Sequence, residues 1–165
     1  MKIGKTGYAI LKFCHILLAS IWIGAGVCLV FLIMFGFVPE AVNGVLAAIR
    51  IIDLFIIIPA VIGLLITGVL FSTLTNWGFI KHRWIIIKYV VNLLPVIFGG
   101  VVMAPPLLGM IKIANQFGQE SLVHPDFVHY KIMFMVPLLL LLILALMALM
   151  LSVFKPDLRF KPKSK

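Results

Sequence analysis

The sequence predicts an all-α integral membrane protein, a four-helix bundle with its N-terminus and C-terminus both in the cytoplasm. Hydrophobic residues make up 64% of the 165 residues and the mean hydropathy is +1.24, whereas soluble domains are about 45–50% apolar. Charged residues account for only 12% of the chain, and they gather at the ends of the apolar stretches. This composition indicates a chain that folds with lipid as its main solvent.

Four apolar stretches are long enough to cross a bilayer, which requires about 20 residues per helix. The first is too long for the apolar core of a cleavable signal peptide, so we expect it to be retained as a span. No internal repeat is evident, and a single transmembrane domain, 1–165, is predicted. Its helices are expected at about 8–37, 41–74, 82–110 and 127–154.

Prolines mark the predicted limits of these helices. Pro39 and Glu40 are expected at the start of the second helix, because proline suits the first helical turn. Pro59 is expected to kink that helix. Pro105 with Pro106 is predicted to break or end the third helix, since an interior proline removes a backbone hydrogen bond.

The orientation follows from the placement of lysine and arginine. Ten of the fourteen lie in the N-terminal tail, the second loop and the C-terminal tail, which share one side of the membrane: Lys2, Lys5, Lys12, Lys81, Arg83, Lys155, Arg159, Lys161, Lys163 and Lys165. By the positive-inside rule this side is cytoplasmic. The net charge of +9 suits anionic lipid headgroups, and we expect no nucleic-acid partner.

Ionisable residues inside the apolar stretches indicate a functional site, because each is costly at membrane depth. His15 and Lys88 each lie seven residues into their predicted helices, or about 10 Å from the cytoplasmic rim at 1.5 Å per residue. We therefore expect them at one level of the bundle. Arg50 and Asp53 lie one turn apart in the second helix and are predicted to form an ion pair.

Small and polar residues accompany this pair at helical spacing. Trp22 and Gly26 follow His15 at i+7 and i+11, and Asn92 lies one turn after the lysine of the third helix. Thr67 belongs to a polar stripe on the second helix. One interpretation is a pocket for a flat ligand; the alternative is ordinary close packing, which also uses small residues in membranes.

A single imidazole in this position allows three interpretations. It could be a hydrogen-bonded core histidine, a metal ligand or a haem ligand, since neutral imidazole commonly binds metals and haem iron is regularly held by a histidine of a bundle helix. A zinc site is less favoured, because the usual paired cysteine or histidine spacing is missing.

Two segments resemble a known superfamily. The segment LKFCHILLASIWIGAG, residues 11–26, is similar to the first-helix signature L-K-x-x-H-[IL] followed by W-x-G-G or W-x-A-G. This signature is found in small bacterial membrane proteins that include the HemJ-type protoporphyrinogen oxidase, the membrane domain of copper resistance protein D and uncharacterised relatives. The segment HRWIIIKYV, residues 82–90, resembles the third-helix segment of the oxidase. The likeness to the uncharacterised relatives extends over most of the chain.

The resemblance implies a redox-active haem b protein of the bacterial plasma membrane, with His15 as the axial metal ligand. Lys88 would be a second ligand, a proton relay or a propionate partner, and both residues would be catalytic in a haem-dependent oxidoreductase. The other implied cofactor contacts are Trp22, Gly26, Thr67, Asn92 and Arg83. A tetrapyrrole or a quinone would be the small-molecule partner, and a homo-oligomer is compatible with this interpretation.

Two alternatives remain open. The relationship to copper resistance protein D implies copper uptake or handling without haem, for which thioethers are suitable Cu(I) ligands. Methionines and histidines lie toward the outer ends of the third and fourth helices: Met103, Met110, Met133, Met135, His124 and His129. Such methionines also occur as ordinary packing residues. The other alternative is an accessory subunit with no cofactor.

Overall fold

The computed structural model describes residues 3–75, 79 and 83–154, with the backbone alone at 83 and 84. In these residues all regular structure is helical, and four helices are long and apolar enough to cross a membrane: Lys5–Phe35, Pro39–Leu74, Ile85–Val123 and Pro125–Phe154. The predicted all-α fold with four membrane-spanning helices is confirmed.

Each of the two middle spans is divided into segments of different helical pitch. The first span is one helix, α1 (Lys5–Phe35), and the last is α6 (Pro125–Phe154). The second span contains a 3₁₀ turn (Pro39–Ala41), α2 (Val42–Ile52), a π-helical segment (Asp53–Ile57) and α3 (Ile58–Leu74). The third contains α4 (Arg83–Ile97), a π-helical segment (Phe98–Met103) and α5 (Ala104–Phe117), followed by a 3₁₀ segment (Gly118–Val123).

The prolines that were expected to disturb the second and third helices lie directly after π-helical segments, whereas Pro95 and Pro137 stand inside α4 and α6. Pro59 stands in the first turn of α3, and Pro105 and Pro106 stand in the first turn of α5, each directly after a π segment. A first-turn residue needs no intrahelical N–H donor, so proline costs little there. The expectation that Pro105 and Pro106 break or end the third helix holds only for the break: the π segment Phe98–Met103 interrupts the α-helix directly before them, and the chain continues as α5 to Phe117.

The four spans pack in chain order around the bundle. The α1 helix contacts the second span and α6, and the third span contacts the second span and α6. Among the described residues, α1 contacts neither α4 nor α5, and α3 does not contact α6. The first and third spans therefore lie diagonally opposite each other, and their side chains can meet only across the interior.

The two halves of the bundle are packed differently. We call the half that contains residues 5–22, 60–75, 83–97 and 145–154 the terminal half, and the other the far half. The largest fully buried side chains belong to the far half: Phe127, Phe134, Leu29, Ile33, Leu46, Ile49 and Met110. In the terminal half a smaller cluster of Trp22, Ala60, Val61, Leu64 and Ala145 fills only the middle of the bundle.

Candidate functional site: a cavity in the terminal half

A cavity of about 560 Å³ occupies the terminal half between α1, α3, α4 and α6. This volume lies within the range of about 300–1,000 Å³ of small-molecule and cofactor sites. Trp22 lines the end toward the centre of the bundle. Most of the wall is apolar, and its polar side chains, besides the indole of Trp22, are Tyr8, Lys12, His15, Ser20, Ser72, Lys88, Tyr89, Asn92 and Ser152.

A hydrogen bond to α3 fixes the imidazole of His15. Its Nδ1 lies 2.7 Å from Oγ1 of Thr67, and the same hydroxyl donates to the carbonyl oxygen of Gly63 at 2.7 Å, one turn earlier. A threonine hydroxyl has only one hydrogen. Because that hydrogen points to the helix carbonyl, Oγ1 accepts from the Nδ1–H of His15, and Nε2 is left with its lone pair.

The ring of Phe71 packs against the imidazole of His15, whose second nitrogen is accessible. Phe71 packs edge to face against His15 with ring centroids 5.5 Å apart, and Tyr8 packs edge to face against Phe71 at 5.9 Å. In the described part of the chain, no buried side-chain nitrogen or oxygen lacks a hydrogen-bond partner. The structure gives Nε2 of His15 no such partner, so this atom is accessible at the cavity wall.

Lys88 reaches the cavity from the diagonally opposite helix. Its Nζ donates to Oγ of Ser152 on α6 at 2.7 Å, and that hydroxyl donates to the carbonyl oxygen of Ala148 at 2.9 Å. The lysine is also close enough to His15 for an electrostatic interaction between them. The cavity therefore has the imidazole of His15 on one side and the Nζ of Lys88 on the other.

A third set of hydrogen bonds joins α3 to α4 beside the cavity. The hydroxyl of Tyr89 donates to the carbonyl oxygen of Gly68 at 2.9 Å, so Ser72, 2.8 Å from the tyrosine oxygen, is the donor of that second bond. Sequence reasoning missed Ser72, Tyr89 and Ser152. These residues carry no charge, so they do not stand out in an apolar stretch as an ionisable residue does. Even Tyr89, which directly follows Lys88, could not be recognised as a site residue from the sequence.

The structure brings most of the predicted site residues together. His15, Trp22, Lys88 and Asn92 line the cavity, and Thr67 acts through its bond to the imidazole. Gly26 does not line it: this residue lies deeper in the bundle, where a Cβ would stand 3.4 Å from Leu142. Arg83 begins α4, but its side chain lies outside the described part, as do Lys81 and His82.

The remaining polar residues of the spans do not join this site. Arg50 is exposed, and no ion pair links it to Asp53 within the described chain, so that prediction is wrong. The two residues stand one turn apart, but Arg50 is exposed whereas Asp53 is half-buried, so their side chains lie in different surroundings. In the far half, His124 packs against the ring of Phe117 at 4.8 Å, and its Nδ1 accepts from the backbone N–H of Asp126.

The methionines proposed for copper lie mostly in packing positions. Met103 and Met110 are buried in the hydrophobic core of the far half, and Met135 packs against it. Within the described residues, no group of three or more histidine, cysteine, aspartate or glutamate side chains is placed to hold a metal ion. Met103, Met110 and Met135 are therefore accounted for by the core, whereas Met133 is 45% exposed.

Comparison with known proteins gives one match. The model of a family described as "Predicted integral membrane protein (DUF2269)" matches residues 9–156. This range includes every described residue of the cavity wall except Tyr8. No curated protein and no solved structure matches the chain.

Proposed function

The chain belongs to this family of predicted integral membrane proteins, and from that premise we propose that the cavity of its terminal half binds haem b. The single observation that supports this most strongly is the hydrogen bond from His15 to Thr67. Histidines that ligate a metal commonly donate their other ring N–H to a fixed acceptor, which sets the tautomer and the ring orientation. His15 has this arrangement, and its Nε2 would be the axial ligand.

The shape and polarity of the cavity also suit a haem. Aromatic side chains and small residues such as Ala19 and Gly68 line it, which favours a flat apolar ring. Lys12 and Lys88 add two cations to the wall, and ammonium groups pair with carboxylates such as the two propionates. The residues present therefore fit the group.

Lys88 is best assigned to charge recognition. Its Nζ donates to Ser152 on α6, which holds it at the cavity wall, and in its ammonium form it would pair with a propionate. The protein would supply the ligand, the burial and the access, while the bound cofactor would supply one-electron chemistry for a redox role. Copper handling has less support, because Met103 and Met110 are core residues.

The first prediction concerns the visible spectrum of the purified protein. Expressed with sufficient haem and purified in detergent, the protein should show a Soret band, and His15→Ala should lose it because the axial nitrogen is removed. His129→Ala is the matched control, since this exposed histidine lies in the far half away from the cavity. A band that persists in His15→Ala, or a colourless wild type with stoichiometric copper, would contradict the proposal.

Lys88 provides a second arm of this experiment. Lys88→Met should keep the Soret position, because the axial ligand is unchanged, but should bind haem more weakly because a propionate loses its cation. Lys88→Arg should restore most of the affinity, since arginine also pairs with carboxylates. A change of iron coordination in Lys88→Met would instead show that the lysine ligates the iron.

A further inference from the structure

Three of the four seams between the helices of the terminal half are joined by side-chain hydrogen bonds. The bonds connect neighbouring helices in turn: His15 to Thr67 between α1 and α3, Tyr89 to Gly68 between α3 and α4, and Lys88 to Ser152 between α4 and α6. Each bond holds two helix edges together beside the cavity. The described lining residues on α3 and α4 are all buried or half-buried.

The fourth seam, between α1 and α6, lacks such a bond within the described residues of this half. Here the cavity wall reaches the surface. Ile16 on α1 is 52% exposed and Val153 on α6 is 68% exposed, although both line the cavity. Lys12, Ser20 and Leu149 are likewise exposed lining residues. Their spacing of four residues along each helix defines one edge of α1 and one edge of α6.

The same seam is closed in the far half. Gly26 on α1 approaches Leu142 on α6 closely, since a Cβ at this glycine would be only 3.4 Å from the leucine. Leu29 and Ile33 on α1 belong to the same hydrophobic core as Leu138 and Leu141 on α6. The opening is therefore confined to the terminal half, within the membrane-spanning length of both helices.

We propose that this opening, the α1–α6 portal (Lys12, Ile16, Ser20, Leu149 and Val153), connects the cavity to the lipid phase, and that the ligand is an anionic amphiphile that enters sideways from the bilayer. The apolar edges of Ile16, Leu149 and Val153 would admit the apolar body of such a ligand. Lys12 stands at the end of the portal nearest the helix termini, where it would hold the acidic group at headgroup level.

This inference uses the cavity assigned above to haem b, but the route does not require the ligand to be haem. A haem with its two carboxylates and an acidic lipid share the relevant chemistry, an apolar body with an anionic group. The experiments therefore measure access to the cavity separately from the identity of its occupant.

The first experiment uses Trp22, a buried residue of the cavity wall with 9% exposure, as a fluorescent reporter. Trp77→Phe and Trp84→Phe leave it as the single tryptophan, and the protein is reconstituted in vesicles of lipids brominated near the ends of their acyl chains. Bromine should quench Trp22, because acyl chains enter the portal. In Ile16→Phe/Leu149→Phe, which fills the portal from both edges, quenching should fall by about half.

Leu17→Phe/Ile143→Phe is the matched control, since it adds the same rings at exposed positions of α1 and α6 that do not line the cavity. Quenching should be unchanged there. Ser20→Phe is a milder portal variant for use if the double variant does not fold. Equal quenching in the background protein and in the portal variants would overturn the proposal.

The second experiment measures transfer of haem from preloaded vesicles to the apoprotein. Filling the portal should slow the uptake of haem, about tenfold for a barrier raised by about 1.4 kcal/mol, and should slow its release as well. A wild type that binds no haem would refute the proposed function, and the quenching result would still decide the portal. Unchanged uptake in portal variants of a haem-binding wild type would refute the portal.

Discussion

At the scale of single residues, the hydroxyl of Thr67 determines what His15 can do. Depth along the helices predicts that His15 and Lys88 lie at one level of the bundle, and in the structure both line the same cavity. The partner of each could not be predicted in the same way. The hydroxyls of Thr67 and Ser152 also donate to carbonyl oxygens of their own helices. Any threonine or serine in a helix can make such a bond, so the sequence positions of these two residues do not indicate a contact with another helix.

Removal of the Thr67 hydroxyl should weaken haem binding without removing the axial ligand. Thr67→Val keeps the shape of the side chain but leaves the Nδ1–H of His15 without its acceptor, and the loss of such supporting contacts typically costs about 10–100-fold in metal affinity. Haem titration of the apoprotein, followed at the Soret band, measures the effect.

Thr73→Val is the matched control for this change. Thr73 lies on the same helix and bonds back to Val69 and Leu70 at similar distances, but it is exposed and has no histidine partner. Its haem affinity should equal that of the wild type. If Thr67→Val also binds haem as tightly as the wild type, the bond to His15 does not support ligation.

At the scale of helices, apolar length predicted the four spans because hydrocarbon thickness sets a minimum length for each. The internal changes of pitch could not be read in the same way. Pro59, Pro105 and Pro106 each signal an interruption, but a proline in the first turn of a new α segment resolves it without ending the span. The prolines in the sequence therefore indicate where the α-helix is interrupted, but not that the span continues beyond the interruption.

The seam between α5 and α6 should tolerate no side chain at Gly109. A Cβ there would lie 2.6–2.8 Å from three atoms of the Tyr130 ring, and overpacking of this kind costs about 1–3 kcal/mol. Gly109→Ala should therefore lower the free energy of unfolding, measured by denaturation in mixed detergent micelles.

Gly24→Ala should be neutral or slightly stabilising, because a Cβ on that exposed residue of α1 meets nothing within 4 Å. The Soret band should be retained in both variants, since neither residue lines the cavity. Equal stability of Gly109→Ala and Gly24→Ala would show that α5 and α6 pack less closely than described.

At the scale of the whole molecule, one half of the bundle is filled and the other holds a cavity. Hydropathy could not predict this difference, because lipid-facing and interior positions of a membrane protein are both apolar. Phe13 is 65% exposed and Phe134 only 2% exposed, although the same residue type stands in an apolar span in each case. The site for a ligand becomes visible only when the packing of the two halves is compared, because the far half is filled by side chains and the terminal half is not.

The distribution of lysine and arginine predicts that both ends of the chain are cytoplasmic, and four spans return the chain to the side where it began. A C-terminal fusion to green fluorescent protein should therefore be fluorescent, whereas a fusion to alkaline phosphatase should be inactive. The same reporters inserted after Gly118 should behave in the opposite way. Active phosphatase at the C-terminus would place the cavity in the outer leaflet.

The length of the helices has a mechanical consequence. The 31 residues of α1 extend about 46 Å at 1.5 Å per residue, whereas the hydrocarbon core is about 30 Å thick. The α1 helix must therefore tilt relative to the bilayer normal, or its ends must extend into the headgroup region, to relieve this hydrophobic mismatch. Lys5 and Lys12 lie in the N-terminal turns of α1. We expect them to hold this end of the helix at the membrane–water interface and so to determine how deeply the protein is inserted in the bilayer.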